Sequence, residues 1–340
     1  MVLTMLSIFA IDPEICRNLE WFRYCIEHCQ PSKGRVIADF PPGQWHKIAE
    51  PIIDQLIQEL NLPPIKAQSL KNHLKMVQDQ LVDRPGTVWT NWYYDPSQSS
   101  WIAEIEKEHR RDLFAAIISP EYEESDDERR QYHPDELNRT VTAWNTSSGI
   151  TITRSPGEFV EAIMPMLRLA LAIHFVDGHF DVNIDSSHTK NYKQIIEDLA
   201  KHRNTPDYPF PSLTIHCCPN SDEMTEKGKR NIEEGLEKHY AHLIPKGNSI
   251  TVFAWQINDN VTIEKGNNPF HNRYVLSNHC GVIAGYGTDS YKRETAAPDV
   301  LQVIDYEIYL KLWNQIRDEA FPMIHIEEGN KFVIDGTKSA

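Results

Sequence analysis

The sequence predicts an α/β protein with a mixed sheet flanked by helices. Short apolar runs typical of strands alternate with segments of helical periodicity, which predicts this class, and 40% of the 340 residues are hydrophobic, enough to build a sizeable core. No run of about twenty apolar residues occurs, so a membrane span is not expected. The first apolar run lacks a preceding basic segment and ends at Asp12, and we interpret it as a buried strand rather than a signal peptide.

The first half of the chain contains four predicted strands and four predicted helices. The strands cover 5–11, 34–40, 87–92 and 113–119, and the helices cover 18–29, 48–60, 70–81 and 98–111. Pro51 is expected in the first turn of the second helix, where a missing N–H costs least. These elements predict an N-terminal α/β lobe over residues 1–120.

The second half resumes the alternation after a highly charged stretch at 121–136, which we interpret as part of a solvated linker over residues 121–149. The predicted helices are 157–168, 189–202, 222–243 and 299–318, and the predicted strands are 169–176, 213–218, 249–257 and two short segments near 273 and 282. We expect these elements to share one sheet in a second domain over residues 150–330.

Composition limits the classes of function. The formal net charge of −15 counts against a protein that coats nucleic acid non-specifically, although a local basic cleft or a partner protein remains compatible with it. The six cysteines form no CxxC pair, which favours reduced thiols and a cytoplasmic location. Cys25, His28 and Cys29 have zinc-like spacing, but without a second ligand pair we interpret them as helix and core residues, and we predict no metal or cofactor.

The segment that begins at Phe270 carries the most informative motif. His271, Arg273 and Asn278 stand at offsets of zero, two and seven, and Gly285 follows seven residues later. This spacing resembles the phospholipase D superfamily, whose signature is HxKxxxxD followed by a GSxN-like turn. In that family the histidine attacks phosphorus, the lysine binds phosphoryl oxygens and the acid orients a histidine. The resemblance implies a phospholipase D-like fold for the second domain.

The same resemblance assigns catalytic roles to three residues: His271 as nucleophile, Arg273 as phosphate clamp and Asn278 as orienter. Arg273 replaces the family's lysine and keeps the positive charge, with a planar fork suited to phosphate. Asn278 replaces the aspartate, so it can accept a hydrogen bond but cannot offset an imidazolium charge. Gly285 and Tyr286 are the expected substrate-binding residues of the glycine turn, where Tyr286 replaces the family's serine.

A second segment, IHFVDGHFD at 173–181, resembles the strand end that reads IDPYF in many phospholipase D-like proteins. It would place Asp177 at the carboxyl end of a parallel strand, where ligands gather in open α/β sheets, as a supporting or substrate-binding group. His174 is expected to point into the sheet, and His179 to be a loop residue.

Only one full cassette is visible. The HTKNYKQI segment at 188–195 contains an HxK, but Ile195 occupies the acid position and the surroundings are helical. Because two cassettes normally converge in this family, either two chains pair as a homodimer or residues 1–120 are a decayed first lobe.

The leading hypothesis is therefore a metal-independent phosphodiesterase, more specifically a nuclease, since no basic amphipathic helix of the kind a lipase would use is apparent. The resemblance implies nucleic acid as substrate and a place in bacterial anti-phage defence. The alternative is a catalytically inactive phosphate-binding or scaffold subunit of a nucleic-acid-processing complex, because each cassette residue also has an ordinary structural explanation. A dinucleotide-binding enzyme is disfavoured, because no GxGxxG opens a helix after a strand.

Overall fold

The computed structural model separates into two compact units, Leu6–Ser148 and Met1–Met5 with Gly149–Ala340, called here the N-terminal and C-terminal units. It describes residues 4–84, 100–111, 113–137, 148–153, 157–178, 180, 182, 187–205, 208–219, 224–257, 270, 272–285, 298–318, 324–325 and 330–339. The α/β class is confirmed, with one parallel sheet and one mixed sheet. The strand predicted at 87–92 lies outside the described residues.

The N-terminal unit is built on a four-stranded parallel sheet of order β2-β1-β3-β4. Its strands are β1 (Ser7–Ile11), β2 (Arg35–Ile37), β3 (Ala116–Ile118) and β4 (Gln131–Tyr132), and its helices are α1 (Leu19–His28), α2 (Trp45–Glu59), α3 (Pro64–Gln80) and α4 (Trp101–Arg111). Apolar residues of α1, α2 and α3 form one core cluster with β1 and β3, and this cluster contains Cys25 and Cys29.

Pro51 lies in the interior of α2, and the prediction that placed it in the first turn is wrong. The helix begins at Trp45, six residues before Pro51. The carboxylate of Asp39 accepts hydrogen bonds from the backbone N–H groups of Gly43 and Trp45, at 2.9 and 3.2 Å, and so stabilises this start. The indole of Trp45 also donates to the carbonyl of Ile11 at 2.6 Å. These contacts hold the first turn of α2 beside the end of β1.

Residues 121–137 belong to the N-terminal unit, and their assignment to a linker over 121–149 is corrected. Strand β4 pairs with β3, and Tyr132 and Leu137 are buried in the core of this unit. The hydroxyl of Tyr132 donates to Asp127 at 2.8 Å. Because the segment is rich in charged residues, its sequence gave no clear indication that Tyr132 and Leu137 pack in the core of the N-terminal unit.

The C-terminal unit contains an eight-stranded mixed sheet of order β14-β8-β7-β6-β10-β11-β12-β5. Its strands are β5 (Gly149–Ile152), β6 (Ala172–Val176), β7 (Ser212–Cys217), β8 (Ser249–Ala254), β10 (Arg273–Ser277), β11 (Gly281–Ala284), β12 (Asp299–Val303) and β14 (Lys331–Asp335), while β9 (Gln256–Ile257) and β13 (Ile324–His325) form a separate pair. Strands β6, β7 and β8 are parallel, and the other neighbours are antiparallel. The expected single mixed sheet is thus confirmed.

Helices cover both faces of this sheet. They are α5 (Glu158–Leu169), α6 (Ser187–His202), α7 (Glu226–Leu236) and α8 (Tyr306–Arg317), and a π-helical turn, Glu237–Ala241, follows α7. Phe175 packs edge-on against Tyr192 of α6, with ring centroids 5.1 Å apart, and we call the face of the sheet on which Phe175 lies the α6 face. Val176 and Leu276 pack in one cluster with Tyr309 of α8, and we call the face of the sheet on which they lie the α8 face. Alternate residues of β6 therefore contact different helices.

Residues 299–303 form strand β12, so the predicted helix at 299–318 begins too early. Leu301 and Val303 are buried while Val300 and Gln302 are exposed, the alternation of a strand with one covered face. The helical part, α8, starts at Tyr306 because the side chain of Asp305 accepts a hydrogen bond from the backbone N–H of Glu307 at 3.0 Å. Within the described ranges, none of the helices combines the length and the apolar character needed to cross a bilayer.

Candidate functional site

The two motif-bearing segments meet at one edge of the C-terminal sheet. Asp177 follows the last residue of β6, and Arg273 is the first residue of β10, which runs antiparallel to β6. Because Tyr274 pairs with Val176, the next position outward places Arg273 opposite Asp177, with both side chains on the α6 face. Strand pairing thus brings together two predicted site residues that are 96 positions apart in the sequence (273 − 177).

The guanidinium of Arg273 is held between a carboxylate and a carbonyl. Its Nε lies 3.9 Å from Oδ1 of Asp177, and its Nη1 donates to the carbonyl oxygen of Gly285 at 3.2 Å. The side chain of Arg273 is 18% exposed, whereas that of Asp177 is 1% exposed. We therefore assign Asp177 to a supporting position behind Arg273 rather than to direct contact with a substrate. Gly285 contributes its backbone carbonyl.

Further hydrogen bonds hold Asp177 in place. Its Oδ2 accepts a hydrogen bond from the hydroxyl of Tyr192 at 3.3 Å, and its backbone N–H donates to the carbonyl of His216 at 2.9 Å. Tyr192 was not predicted as a site residue. Its spacing from Ile195 and Ile196, on one buried face of α6, was the available signal that it points toward the sheet.

Asp299 is a second buried carboxylate that the sequence did not reveal, because the predicted helix over 299–318 gave it no place at the sheet edge. It opens β12, is 3% exposed, and accepts at Oδ1 a hydrogen bond from the N–H of Val300 at 2.8 Å. A Cβ atom added to Gly285 would lie 3.0 Å from the same Oδ1. The glycine therefore permits close approach between the end of β11 and this carboxylate.

Asn278 lies at the opposite edge of the sheet, and its assignment as orienter of the catalytic histidine is wrong. Its Oδ1 accepts hydrogen bonds from the backbone N–H groups of Leu171 and Ala172, at 2.7 and 3.3 Å, where β6 begins. Asn278 is five positions beyond Arg273 along an extended chain, a span of roughly 17 Å. The side chain completes the backbone hydrogen bonding at the start of β6.

His271 and Tyr286 lie outside the described residues, as does His179. Phe270, which precedes His271, is buried, and its Cβ would lie 3.0 Å from a Cβ built on Gly178. Its ring centroid is 6.5 Å from that of Trp255. The residue before the predicted nucleophile thus packs against the residue after Asp177.

A chain of ring nitrogens from buried Trp255 and His216 and from partly buried His174 lies on the α8 face. The indole Nε1 of Trp255 donates to Nδ1 of His216 at 3.0 Å, and Nε2 of His216 lies 3.0 Å from Nδ1 of His174. Because an indole can only donate, His216 accepts at Nδ1 and carries its proton on Nε2, and His174 accepts at Nδ1. His174 also contacts Trp313 edge-on, in agreement with the expectation that it points into the sheet.

Burial keeps both imidazoles neutral. Burial lowers the pKa of His174 from 6.5 to about 4. The pKa of His216 is lowered well below 6.5, first by burial and then by the neighbouring His174. Protonation of His174 at Nδ1 would also set two N–H groups against each other, so the hydrogen-bond geometry opposes the charged form.

The described residues contain no group of three histidine, cysteine, aspartate or glutamate side chains arranged to hold a metal ion. No protein-family model matches the chain, and a search of curated proteins finds no significant match. The chemistry of the site is therefore argued from its residues: a partly exposed guanidinium, backed by a buried carboxylate, can bind an anionic oxygen group such as phosphate.

Proposed function

We propose that the C-terminal unit is a metal-independent phosphodiesterase that cleaves nucleic acid, with His271 as nucleophile and Arg273 as phosphate clamp. The observation that carries this proposal is the position of Arg273. Its guanidinium lies at the sheet edge, partly exposed, with Asp177 buried behind it and the carbonyl of Gly285 beside it. The exposed part of a guanidinium held in this way is suited to the oxygens of a phosphodiester.

The proposed reaction has two steps, formation of a phosphohistidine and its hydrolysis. A ring nitrogen of His271 forms a bond to phosphorus as the bond from phosphorus to the leaving oxygen breaks, and the leaving oxygen takes a proton from a second histidine. Water then attacks phosphorus and gives a proton to the second histidine as the phosphorus–nitrogen bond breaks, which releases a phosphate monoester and restores both imidazoles. Since one cassette supplies one histidine, we propose that the second comes from another copy of the chain in a homodimer. A cytoplasmic role in anti-phage defence accords with this proposal.

Cleavage of bis(4-nitrophenyl) phosphate and of single- and double-stranded oligonucleotides, in excess EDTA, tests the proposal. We expect His271→Ala to abolish cleavage and Arg273→Ala to lower kcat/KM by at least about 100-fold, since the latter removes the clamp. Arg273→Lys should retain part of the activity because the charge remains. His242→Ala and Arg317→Ala, which change exposed residues of the same types, are the matched controls. Activity that EDTA removes, or that survives His271→Ala, would overturn the proposal.

A phosphate-binding subunit without catalysis is the second candidate, and the position of Asn278 favours it. The residue that stands at the acid position of the cassette is engaged by the backbone of Leu171 and Ala172. Isothermal titration with inorganic phosphate, combined with the cleavage assay above, separates the two candidates. Binding that depends on Arg273, in a homodimer that cleaves no diester, would identify the binding subunit.

A further inference from the structure

The three nitrogens of the Arg273 guanidinium lie in different environments. Nε lies 3.9 Å from Oδ1 of Asp177 and is buried, with no hydrogen-bond partner among the described residues. Nη1 donates to the carbonyl oxygen of Gly285 at 3.2 Å. Nη2 is not buried, and the side chain as a whole is 18% exposed. Access from solvent therefore differs between the edges of the guanidinium.

A planar guanidinium can bind a phosphate along two different edges. In the side-on arrangement Nε and Nη2 donate, and in the end-on arrangement the two terminal nitrogens, Nη1 and Nη2, donate. Side-on binding requires access to Nε, and in Arg273 this atom is buried toward Asp177. A ligand can therefore reach the end-on edge and not the side-on edge.

The carbonyl of Gly285 holds the guanidinium in this orientation. Arg273 pairs with Ala284 across the β10–β11 hairpin, so the next residue of the chain, Gly285, lies beside the end of the arginine side chain. Turning Nε outward would break the bond between Nη1 and this carbonyl. A Cβ atom at position 285 would lie 3.0 Å from Oδ1 of Asp299, so a larger residue would displace the end of β11.

We infer that Arg273 binds phosphate end-on, through its terminal nitrogens, and that Gly285 is the positioning residue that fixes this orientation. The inference rests on the proposed function, since it assigns the phosphate contact to Arg273. Because Nη1 already donates to Gly285, the contact with phosphate depends mainly on Nη2. Such a contact requires a terminal positive charge, which lysine also carries, and does not require the side-on fork of arginine.

Nitrogen-15 NMR of the full-length protein, labelled in its arginine side chains, identifies the edge that is used. During titration with inorganic phosphate, we expect the Nη signals of Arg273 to shift while its Nε–H signal stays in place. The signals are assigned by their loss in Arg273→Lys. Arg317, whose Nε donates to Asp318 at 2.9 Å on the protein surface, is the internal control and should not respond. A shift at Nε as large as that at Nη would show side-on binding and overturn the inference.

Phosphate affinity, measured by titration calorimetry, tests the role of Gly285. Gly285→Ala should raise the dissociation constant at least about fivefold, the effect of losing one hydrogen bond to a charged group. Gly149→Ala, whose added Cβ would lie 3.4 Å from the carbonyl oxygen of Leu301 in the same sheet, is the matched control. Arg273→Lys should raise the constant by less than about fivefold, since a terminal charge remains. Unaltered affinity in Gly285→Ala would show that Gly285 does not position the clamp.

Arg273→Ala separates this inference from the proposed function. If Arg273→Ala binds phosphate as the unaltered protein does, the proposed clamp itself is wrong, whichever edge of the guanidinium is accessible. If Arg273→Ala loses phosphate binding but the Nε–H signal of the unaltered protein responds to phosphate, the clamp stands and the end-on orientation is wrong. Both results are obtained without any measured cleavage.

Discussion

The side chain of Asn278 accepts a hydrogen bond from the backbone N–H of Leu171 at 2.7 Å, at the end of β10 that lies farthest from Arg273. A second bond, from Ala172, is 3.3 Å long. Two residues of one sequence motif thus lie at opposite ends of the same strand, β10. Arg273 belongs to the candidate site, and Asn278 stabilises the start of the strand that leads to that site.

Asn278→Ala should therefore destabilise the C-terminal unit without weakening phosphate binding per folded molecule. The loss of an acceptor for two backbone N–H groups is expected to cost about 1–3 kcal/mol, measured by urea unfolding followed by circular dichroism. Asn278→Asp keeps the acceptor oxygen and should cost less, with no gain in cleavage rate. Asn314→Ala, at an exposed position of α8, is the control. An Asn278→Ala protein that is as stable as the control but fails to bind phosphate would contradict this assignment.

His174 should make the C-terminal unit sensitive to mild acid. Its pKa in the folded protein, about 4, is below the ordinary 6.5, so the unfolded chain binds the proton more readily. The stability that the neutral ring contributes is complete above pH 6.5 and is lost as the pH falls toward 4, by up to about 3 kcal/mol. Urea unfolding at several pH values measures this slope.

His174→Gln is the informative variant for this prediction, since glutamine can still accept from His216 but does not titrate. Its stability should vary less between pH 6.5 and 4 than that of the unaltered protein. Nitrogen-15 NMR of the histidine rings provides an independent measurement, with Nδ1 of both His174 and His216 expected to be unprotonated at pH 7. An unchanged pH slope in His174→Gln, or a protonated Nδ1 on His216, would show that the chain from Trp255 is arranged differently.

Asp12 should destabilise the N-terminal unit at neutral pH. It follows β1, is buried, and accepts hydrogen bonds from Ser119 Oγ at 2.6 Å and from the N–H of Glu14 at 2.9 Å. Burial raises its pKa to about 6, a shift that these two hydrogen bonds offset in part. Because the folded pKa exceeds the ordinary 3.8, its favourable contribution is present below pH 3.8 and is lost as the pH rises through 6.

Asp12→Asn is therefore expected to stabilise the N-terminal unit by about 2 kcal/mol at pH 7, which raises its melting temperature by roughly 5 °C. The asparagine keeps an acceptor for Glu14, and the gain should shrink as the pH approaches 4 because Asp12 is then protonated. Calorimetric melting at pH 7 and pH 4 measures both. Asp79→Asn, at an exposed position of α3, should change neither value. A lower melting temperature for Asp12→Asn at pH 7 would mean that the charged carboxylate is stabilising.

Local patterns in the sequence determined the class of fold and most of its elements. Apolar residues recurring every four positions correctly indicated α2, and short apolar segments near 273 and 282 correctly indicated β10 and β11. The predictions failed where a local pattern was weak. Strand β12 is five residues long and was joined to the helix that follows it, and β4 has two residues within a charged segment.

The candidate site was determined only in part by the sequence. The cassette spacing identified Arg273, and the end of an apolar strand identified Asp177, because both signals are contained in a few adjacent residues. Their meeting, the contribution of Tyr192, the presence of Asp299 and the separate role of Asn278 were decided by the tertiary structure. The physical reason is that alternation along a strand specifies which face a side chain occupies, whereas the choice of neighbouring strand and its register depends on hydrogen bonds between distant parts of the chain.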